Sequence, residues 1–452
     1  MALNGSNNRG RWNINLTPAQ VLVLGFAGVI FMGSLLLMIP HAAAPGKVTH
    51  YVDALFTATS AVCVTGLVVV ETGSHWSILG QVVTILLIQI GGLGIMTMST
   101  LFALVIGKRI SLRERLIIQE ATGLSRMAGL VRLTRAILLV TLIAEGIGAT
   151  ILAVRFAFDM SPGRAAYFGV YHAISAFCNA GFDLFGTSFM GYVSDWTVNL
   201  VVTSLVIVGG IGFTVIMDLY ESRLGRKGKP TLHTRTALRV TALLIVIGTI
   251  LIYLLEYSNP GTLGPLSGPT KVLAAYFHSV TPRTAGFNTI PVGKMSLPGL
   301  LVTMIMMFIG ASPGGTGGGI KTTTFTTIVA MVKSILEGKQ DVEFRDKRLA
   351  RDVVDRSLAI TMLSLGLIIF TTSLLAITER KMLVEVMFEA TSAFGTVGLS
   401  TGMTPNLTTA GKVLIMMTMF AGRVGPLTLG MAIAQRLHAA PVRLPEDRML
   451  VG

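Results

Sequence analysis

Four short segments repeat one order of residue types: FTATSAVCVTGL from Phe56, YHAISAFCNAGF from Tyr171, FHSVTPRTAGF from Phe277 and FEATSAFGTVGL from Phe388. Each opens on an aromatic residue, passes through small and hydroxyl residues, and closes on a glycine followed by Leu or Phe. The closing glycines, Gly66, Gly181, Gly286 and Gly398, lie 115, 105 and 112 residues apart, a near-equal spacing that marks an internal repeat. The third copy is one residue shorter and carries Pro282 and Arg283. The residues just before the glycines are uncharged: Val64 and Thr65, Asn179 and Ala180, Thr284 and Ala285, Thr396 and Val397. Such backbone can offer carbonyl oxygens, and stacked rings of carbonyls replace the hydration shell of a bare cation. Glycine admits the left-handed φ that turns a carbonyl toward a central axis. Four copies around that axis would supply four oxygens per ring.

Loops of this kind need a frame, and the composition says which. Hydrophobic residues make up 52% of the 452 and charged residues 13%, with a mean hydropathy of +0.71. Soluble proteins carry roughly 25% charged residues. Nearly uncharged stretches around 21–38, 136–152, 243–254, 360–375 and 413–434 have or extend to the length that crosses a bilayer. Short helices, such as 51–60 and 382–392, lead into the repeated loops and cannot span. Non-helical backbone at membrane depth is tolerated where protein buries it or where it lines a water-filled cavity. The expected fold is therefore an all-α integral membrane protein of four membrane helix–pore loop–membrane helix units around a pseudo-four-fold pore. The units are expected at 15–107, 130–222, 237–337 and 355–438, with cytoplasmic termini at 1–14 and 439–452.

The formal net charge of +14 is concentrated in three connections. Lys108, Arg109, Arg113, Arg115, Arg126, Arg132 and Arg135 fill the first; Arg223, Arg226, Lys227, Lys229, Arg235 and Arg239 the second. Lys339, Arg345, Lys347, Arg348, Arg351 and Arg356 fill the third, diluted by five acidic residues. The alternate connections are poor in basic residues, so the pattern follows the positive-inside rule and sets the basic loops on the cytoplasmic side. Short basic loops between apolar spans form no continuous face for nucleic acid. Arg9 and Arg11 precede an apolar run longer than a signal-peptide core, which reads as an uncleaved first span. Cys63 and Cys178, the two cysteines, give no disulfide scaffold or metal cluster. Each stands three residues before a loop glycine, placed to pack behind the loop as a small apolar group, or close enough to its counterpart to respond to oxidation or cadmium.

A glycine cluster follows each loop: Gly91, Gly92 and Gly94; Gly209, Gly210 and Gly212; Gly310 with Gly314, Gly315, Gly317, Gly318 and Gly319; Gly422 and Gly425. Small residues let membrane helices approach closely. The third cluster, GASPGGTGGGIKTTT, fails the nucleotide-binding pattern because Ile320 separates Gly319 from Lys321. It reads instead as a break in the second helix of the third unit, lining a cavity. Arg423 lies in an apolar helix, where a charge is costly and usually functional or paired.

These residues carry a resemblance. IQIGGLGIMT from Ile88, VTPRTAGFN from Val280, SAFGTVGL from Ser392 and GRVGPLT from Gly422 resemble the Trk/Ktr/HKT superfamily of potassium transporters, most closely the membrane subunits of bacterial Ktr systems. The resemblance runs from the first span to the C-terminal tail. It implies potassium uptake without enzymatic activity, with Gly66, Gly181, Gly286 and Gly398 closing a selectivity filter whose preceding carbonyls coordinate potassium. Some plant relatives carry serine in the first loop and favour sodium, whereas Gly66 stands here. The resemblance also implies that 310–319 is an intramembrane gate and that Arg423 places a fixed positive charge near the cavity. Lys321 is divided between a structural and a gating role. A homodimer on a cytosolic ring of KtrA-type regulatory subunits that bind ATP or ADP is implied, as is stimulation by sodium, with no cofactor in this chain. The basic loops near 223–239 and 345–356 are candidate docking surfaces.

Two other classes are weighed. An alternating-access secondary transporter usually shows inverted repeats, whereas these four units run in one orientation. A membrane enzyme would need paired carboxylates, a His cluster or an activated nucleophile at membrane depth, and the sequence offers none.

Overall fold

The computed structural model describes residues 17–94, 130–224 and 228–433. The segments 1–14, 95–107 and 439–452, and Lys108, Arg109, Arg113, Arg115, Arg126, Arg226 and Lys227, lie outside the described residues. Four long helices, Pro18–Leu37, Leu130–Phe156, Leu232–Glu256 and Arg351–Glu379, contain spans long and apolar enough to cross a membrane. At about 1.5 Å per residue the shortest, with 20 residues, reaches about 30 Å, the thickness of a hydrocarbon core.

Each long helix is followed by a short one: Tyr51–Val62, Pro162–Phe177, Gly268–Val280 and Leu383–Gly395. These hold 12, 16, 13 and 13 residues and reach only about 18–24 Å. The aromatic that opens each repeated segment, Phe56, Tyr171, Phe277 or Phe388, is buried, so the half-helices are enclosed by protein. That enclosure lets non-helical backbone follow them at membrane depth.

The chain then returns through inner helices at Ile78–Leu93, Trp196–Ile211, Leu297–Phe308 and Thr409–Val424. Each starts on a side-chain cap, which satisfies an N–H the helix cannot. Ser77 accepts from Gly80, Asp195 from Val198, Ser296 from Gly299 and Thr408 from Gly411. In the third and fourth units a carboxylate at the end of the long helix fixes that cap. Glu256 accepts from the Ser296 N–H at 3.0 Å and hydroxyl at 2.6 Å, and Glu379 does the same for Thr408. Outer and inner helices are thereby tied at one end.

The sequence pattern marks a break in the third inner helix; the structure breaks the second and fourth as well. Trp196–Ile211 turns through 90° into Phe213–Arg223, and Thr409–Val424 turns through 94° into the helix that begins at Pro426. The hinges are Gly212 and Gly425, with φ of 102° and 94°, and Ile78–Leu93 ends on Gly94 at φ 82°. An L side chain rarely adopts that backbone. The first glycine of the first, second and fourth clusters does different work. A Cβ on Gly91, Gly209 or Gly422 would run into the carbonyl oxygen of Val62, Phe177 or Phe394, the end of the adjacent half-helix. One glycine admits the half-helix and another turns the chain.

In the third unit the break is longer. The inner helix stops at Phe308 and resumes as Thr322–Leu336. Gly310 N–H donates to the Ile320 carbonyl at 2.9 Å and Ile320 N–H to Phe308 at 3.3 Å, so the intervening loop leaves and re-enters at one neck. Beyond it, Glu343–Phe344 and Lys347–Arg348 form a two-stranded hairpin.

Candidate functional site

After each half-helix the backbone takes the same unusual course. Val64, Asn179, Thr284 and Thr396 have φ of 50°, 58°, 76° and 48°. One residue on, Thr65, Ala180, Ala285 and Val397 return to negative φ, and the closing glycines are positive again at 88°, 69°, 78° and 93°. In ordinary extended chain successive carbonyls point to opposite sides. Alternating the sign of φ can bring them to one side. Holding a β-branched residue at positive φ costs free energy and calls for support.

Hydroxyls supply part of that support. Ser60 and Ser392 accept from Gly66 and Gly398 N–H, each at 3.1 Å. Ser175 and Thr281 instead donate to the carbonyls of Phe182 at 2.8 Å and Phe287 at 2.5 Å. In the sequence these hydroxyls are members of the repeat with no evident role, and their recurrence six or seven residues before the bonded group is the signal it carries. The shorter third copy closes its turn from Ala285 N–H to Thr281 at 2.9 Å, a four-residue step. The other copies use five-residue steps to Ser60, Ser175 and Ser392. Arg283 turns away, donating to Thr241 Oγ1 on the long helix at 3.1 Å.

The four loops meet. A Cβ on Gly66 would lie 2.5 Å from the Ala180 carbonyl oxygen, and one on Gly181 would lie 2.7 Å from that of Ala285. A Cβ on Gly286 would strike the Val397 oxygen, and one on Gly398 the Thr65 oxygen. Each glycine abuts the next unit's preceding carbonyl, and the fourth unit returns to the first. The order is cyclic, and it places all four Gly residues and their neighbours around one centre. The half-helices end just before this ring, where their carbonyl ends are the negative pole of the dipole.

The glycine-rich loop packs against the ring. A Cβ on Gly317 or Gly318 would strike the hydroxyls of Thr284 or Thr396. Thr316 Oγ1 donates to the Phe177 carbonyl at 3.2 Å, while Thr316 and Ser312 N–H bond Gly209 and Gly210 at 3.1 and 2.9 Å. Gly314 accepts from Phe213 N–H at 3.0 Å, and a Cβ on Gly315 would lie 2.9 Å from the Gly210 oxygen. Lys321 Nζ donates to the Gly317 carbonyl at 2.6 Å. Arg423 donates to the carbonyls of Thr316 and Gly91, bridging this loop to the first unit. Counted back from the hinge glycine, Arg423 occupies the register of Gly92 and Gly210. A cavity of about 400 Å³ opens on the far side, lined by Phe26, Gly94, Gly315, Lys321, Arg356 and Arg423 among others.

Cys63 and Cys178 are both buried and free, and both cap a half-helix. Cys178 Sγ faces Gln89 Oε1 at 3.5 Å and Glu145 Oε1 at 3.9 Å.

Residues 17–440 match the TrkH family, described as cation transport protein. The chain belongs to the TrkH cation transport family. Other TrkH-family chains agree along nearly their whole length. "Ktr system potassium uptake protein B" of Bacillus subtilis is 42% identical, with 98% of each chain covered. "Potassium/sodium uptake protein NtpJ" of Enterococcus hirae is 38% identical, covering 97% of this chain and 98% of its own. The fold is also that of the potassium transporter TrkH from Vibrio parahaemolyticus. There the TM-score is 0.75 at 18% identity, over 95% of this chain and 87% of that one.

Proposed function

We propose that this TrkH-family chain is the potassium-translocating membrane subunit of a Ktr-type uptake system, working as a gated channel-like pore. The observation that carries the reading is the closed cyclic contact of Gly66, Gly181, Gly286 and Gly398 with the neighbouring carbonyls. In this reading the carbonyls of Val64, Thr65, Asn179, Ala180, Thr284, Ala285, Thr396 and Val397, with those of the glycines, form the filter. They exchange for an ion's hydration shell without adding charge. The loop 310–319 is the gate, held shut by Arg423, with Lys321 bracing it from within. Relatives named for Ktr potassium uptake at about 40% identity support the substrate, and NtpJ, named for potassium and sodium, supports a sodium influence.

The same reading gives a homodimer in a bacterial cell membrane with cytoplasmic termini, docked on a KtrA-like ring that carries the nucleotide. It also divides the chain into the four units given above. Complementation tests it. The wild-type chain with its regulatory partner is expected to restore growth of a potassium-uptake-deficient bacterium on low potassium, and Gly286→Ser is expected to fail. Failure of the membrane-inserted wild type, or full rescue by Gly286→Ser, counts against it. Tracer flux faster than a rocking carrier separates the pore from an alternating-access transporter.

The hydroxyl supports give a finer test. Ser60→Ala leaves the Gly66 N–H without its partner, a loss worth about 1–3 kcal/mol for a buried group. The expected result is a potassium-over-sodium preference reduced roughly tenfold with the protein still inserted, since 1.4 kcal/mol is about a factor of ten. Competition of sodium against rubidium tracer measures it.

A further inference from the structure

Of the two right-angle bends, the one at Gly212 is stapled to the glycine-rich loop. Phe213 N–H, the first of the helix Phe213–Arg223, donates to the Gly314 carbonyl at 3.0 Å, between the Ser312 and Thr316 N–H bonds to Gly210 and Gly209. A Cβ on Gly212 would lie 2.5 Å from the Pro313 oxygen. The first N–H groups of a helix have no partner inside it, and that positive end favours a carbonyl. At the other bend a Cβ on Gly425 would meet nothing nearer than Thr428 Oγ1 at 3.7 Å. Among the described residues no backbone bond joins Pro426–Ile433 to the loop.

The helix beyond the Gly212 bend is held at a second point. Asp218, 7% exposed, accepts at Oδ2 from the Thr231 N–H and hydroxyl, both at 2.9 Å, and from the Thr234 hydroxyl at 2.6 Å. Thr231 is the cap of the long helix Leu232–Glu256. Near the far end, the Ser222 hydroxyl donates to the Gly228 carbonyl at 2.7 Å, in the basic connection. The helix has 11 residues, a rod of about 16 Å. One end is joined to the loop, and its side is joined to the start of the third unit.

We infer, on the reading of 310–319 as the gate, that Asp218 positions it by pinning the helix Phe213–Arg223, a lever between the connection 223–239 and the loop. The Phe213 N–H belongs to that helix, so tilting the helix about the Gly212 bend swings the N–H away from the Gly314 carbonyl. The neck bonds at Gly310 and Ile320 lie within the third unit and do not follow the tilt. The loop beyond them therefore shifts against the Thr284 and Thr396 hydroxyls that it covers. A regulatory partner that grips the connection and tilts the helix opens the gate without touching the loop.

Potassium flux through the purified full chain in liposomes, without regulatory subunits, tests the lever. Asp218→Ala removes three hydrogen bonds and is expected to raise flux at least ~5-fold. Asp218→Asn, which keeps an acceptor oxygen, and the near-isosteric Thr234→Val should each raise it by less. In a chain that lacks 314–319, Asp218→Ala is expected to change nothing, because the lever has no loop left to hold. A merely structural fault acts in both backgrounds. Flux unmoved or lowered by both Asp218→Ala and Thr234→Val in the intact chain, or an equal change with the loop removed, would overturn the assignment. A deletion that leaves flux unchanged fells the gate reading and the lever with it; a deletion that raises flux while neither substitution does fells the lever alone.

Discussion

Gly398→Ala is expected to reduce rubidium uptake at least ~100-fold while the protein still reaches the membrane, a loss equivalent to about 2.7 kcal/mol of barrier. Two penalties add. Gly398 sits at φ 93°, where an L residue is strained by about 1–2 kcal/mol. Its new methyl would strike the Thr65 carbonyl oxygen and lie 3.0 Å from Gly66 Cα. Neither neighbour is the end of a flexible side chain, so relief means displacing a proposed ion ligand of the first unit. Because the contacts run in a cycle, damage at one glycine reaches the next unit. Quantitative immunoblotting with initial-rate tracer uptake measures the effect, and near-normal uptake at normal abundance would remove these carbonyls from the ion path.

The opposite sign is expected at the loop. Removing 314–319 should raise potassium flux through the chain in liposomes, without regulatory subunits, by at least ~10-fold, or about 1.4 kcal/mol. These residues carry the glycines that meet the Thr284 and Thr396 hydroxyls and the Thr316 contacts to Phe177 and Gly209. Arg423→Gln should act in the same direction with smaller amplitude, since it removes a fixed positive charge and weakens the bridge from Thr316 to Gly91. Lys321 reaches back only within its own loop, so Lys321→Met is expected to have the smallest effect. Unchanged flux together with unchanged regulation in the deletion would end the gate assignment.

The helical, span-rich character of the fold was legible because apolar length and the fourfold aromatic-to-glycine pattern are local signals. Family membership followed from the same residues. Less visible were features that depend on what a residue meets in space. Gly212 and Gly425 look like ordinary membrane-helix glycines until their φ values show hinges of about a right angle. Ser60, Ser175, Thr281 and Ser392 are small hydroxyl residues in a repeat, and sequence alone does not say which N–H or carbonyl each one bonds. Gln89 and Glu145 are 56 residues apart, and nothing in either segment announces the other. Arg423 was marked by the cost of its charge, while its acceptors, backbone carbonyls of the first and third units, appear only when the chain is folded.

The neck at Gly310 and Ile320 separates two mechanical problems. Helix-end geometry is fixed there by the paired backbone bonds, so strain within the excursion beyond has little leverage on Leu297–Phe308 or Thr322–Leu336. Lengthening a closed loop costs slowly, about 0.6 kcal/mol for each doubling. The excursion can therefore change in length without disturbing the two helices, but not in bulk at Gly315, Gly317 and Gly318, whose bare backbones the surrounding units require.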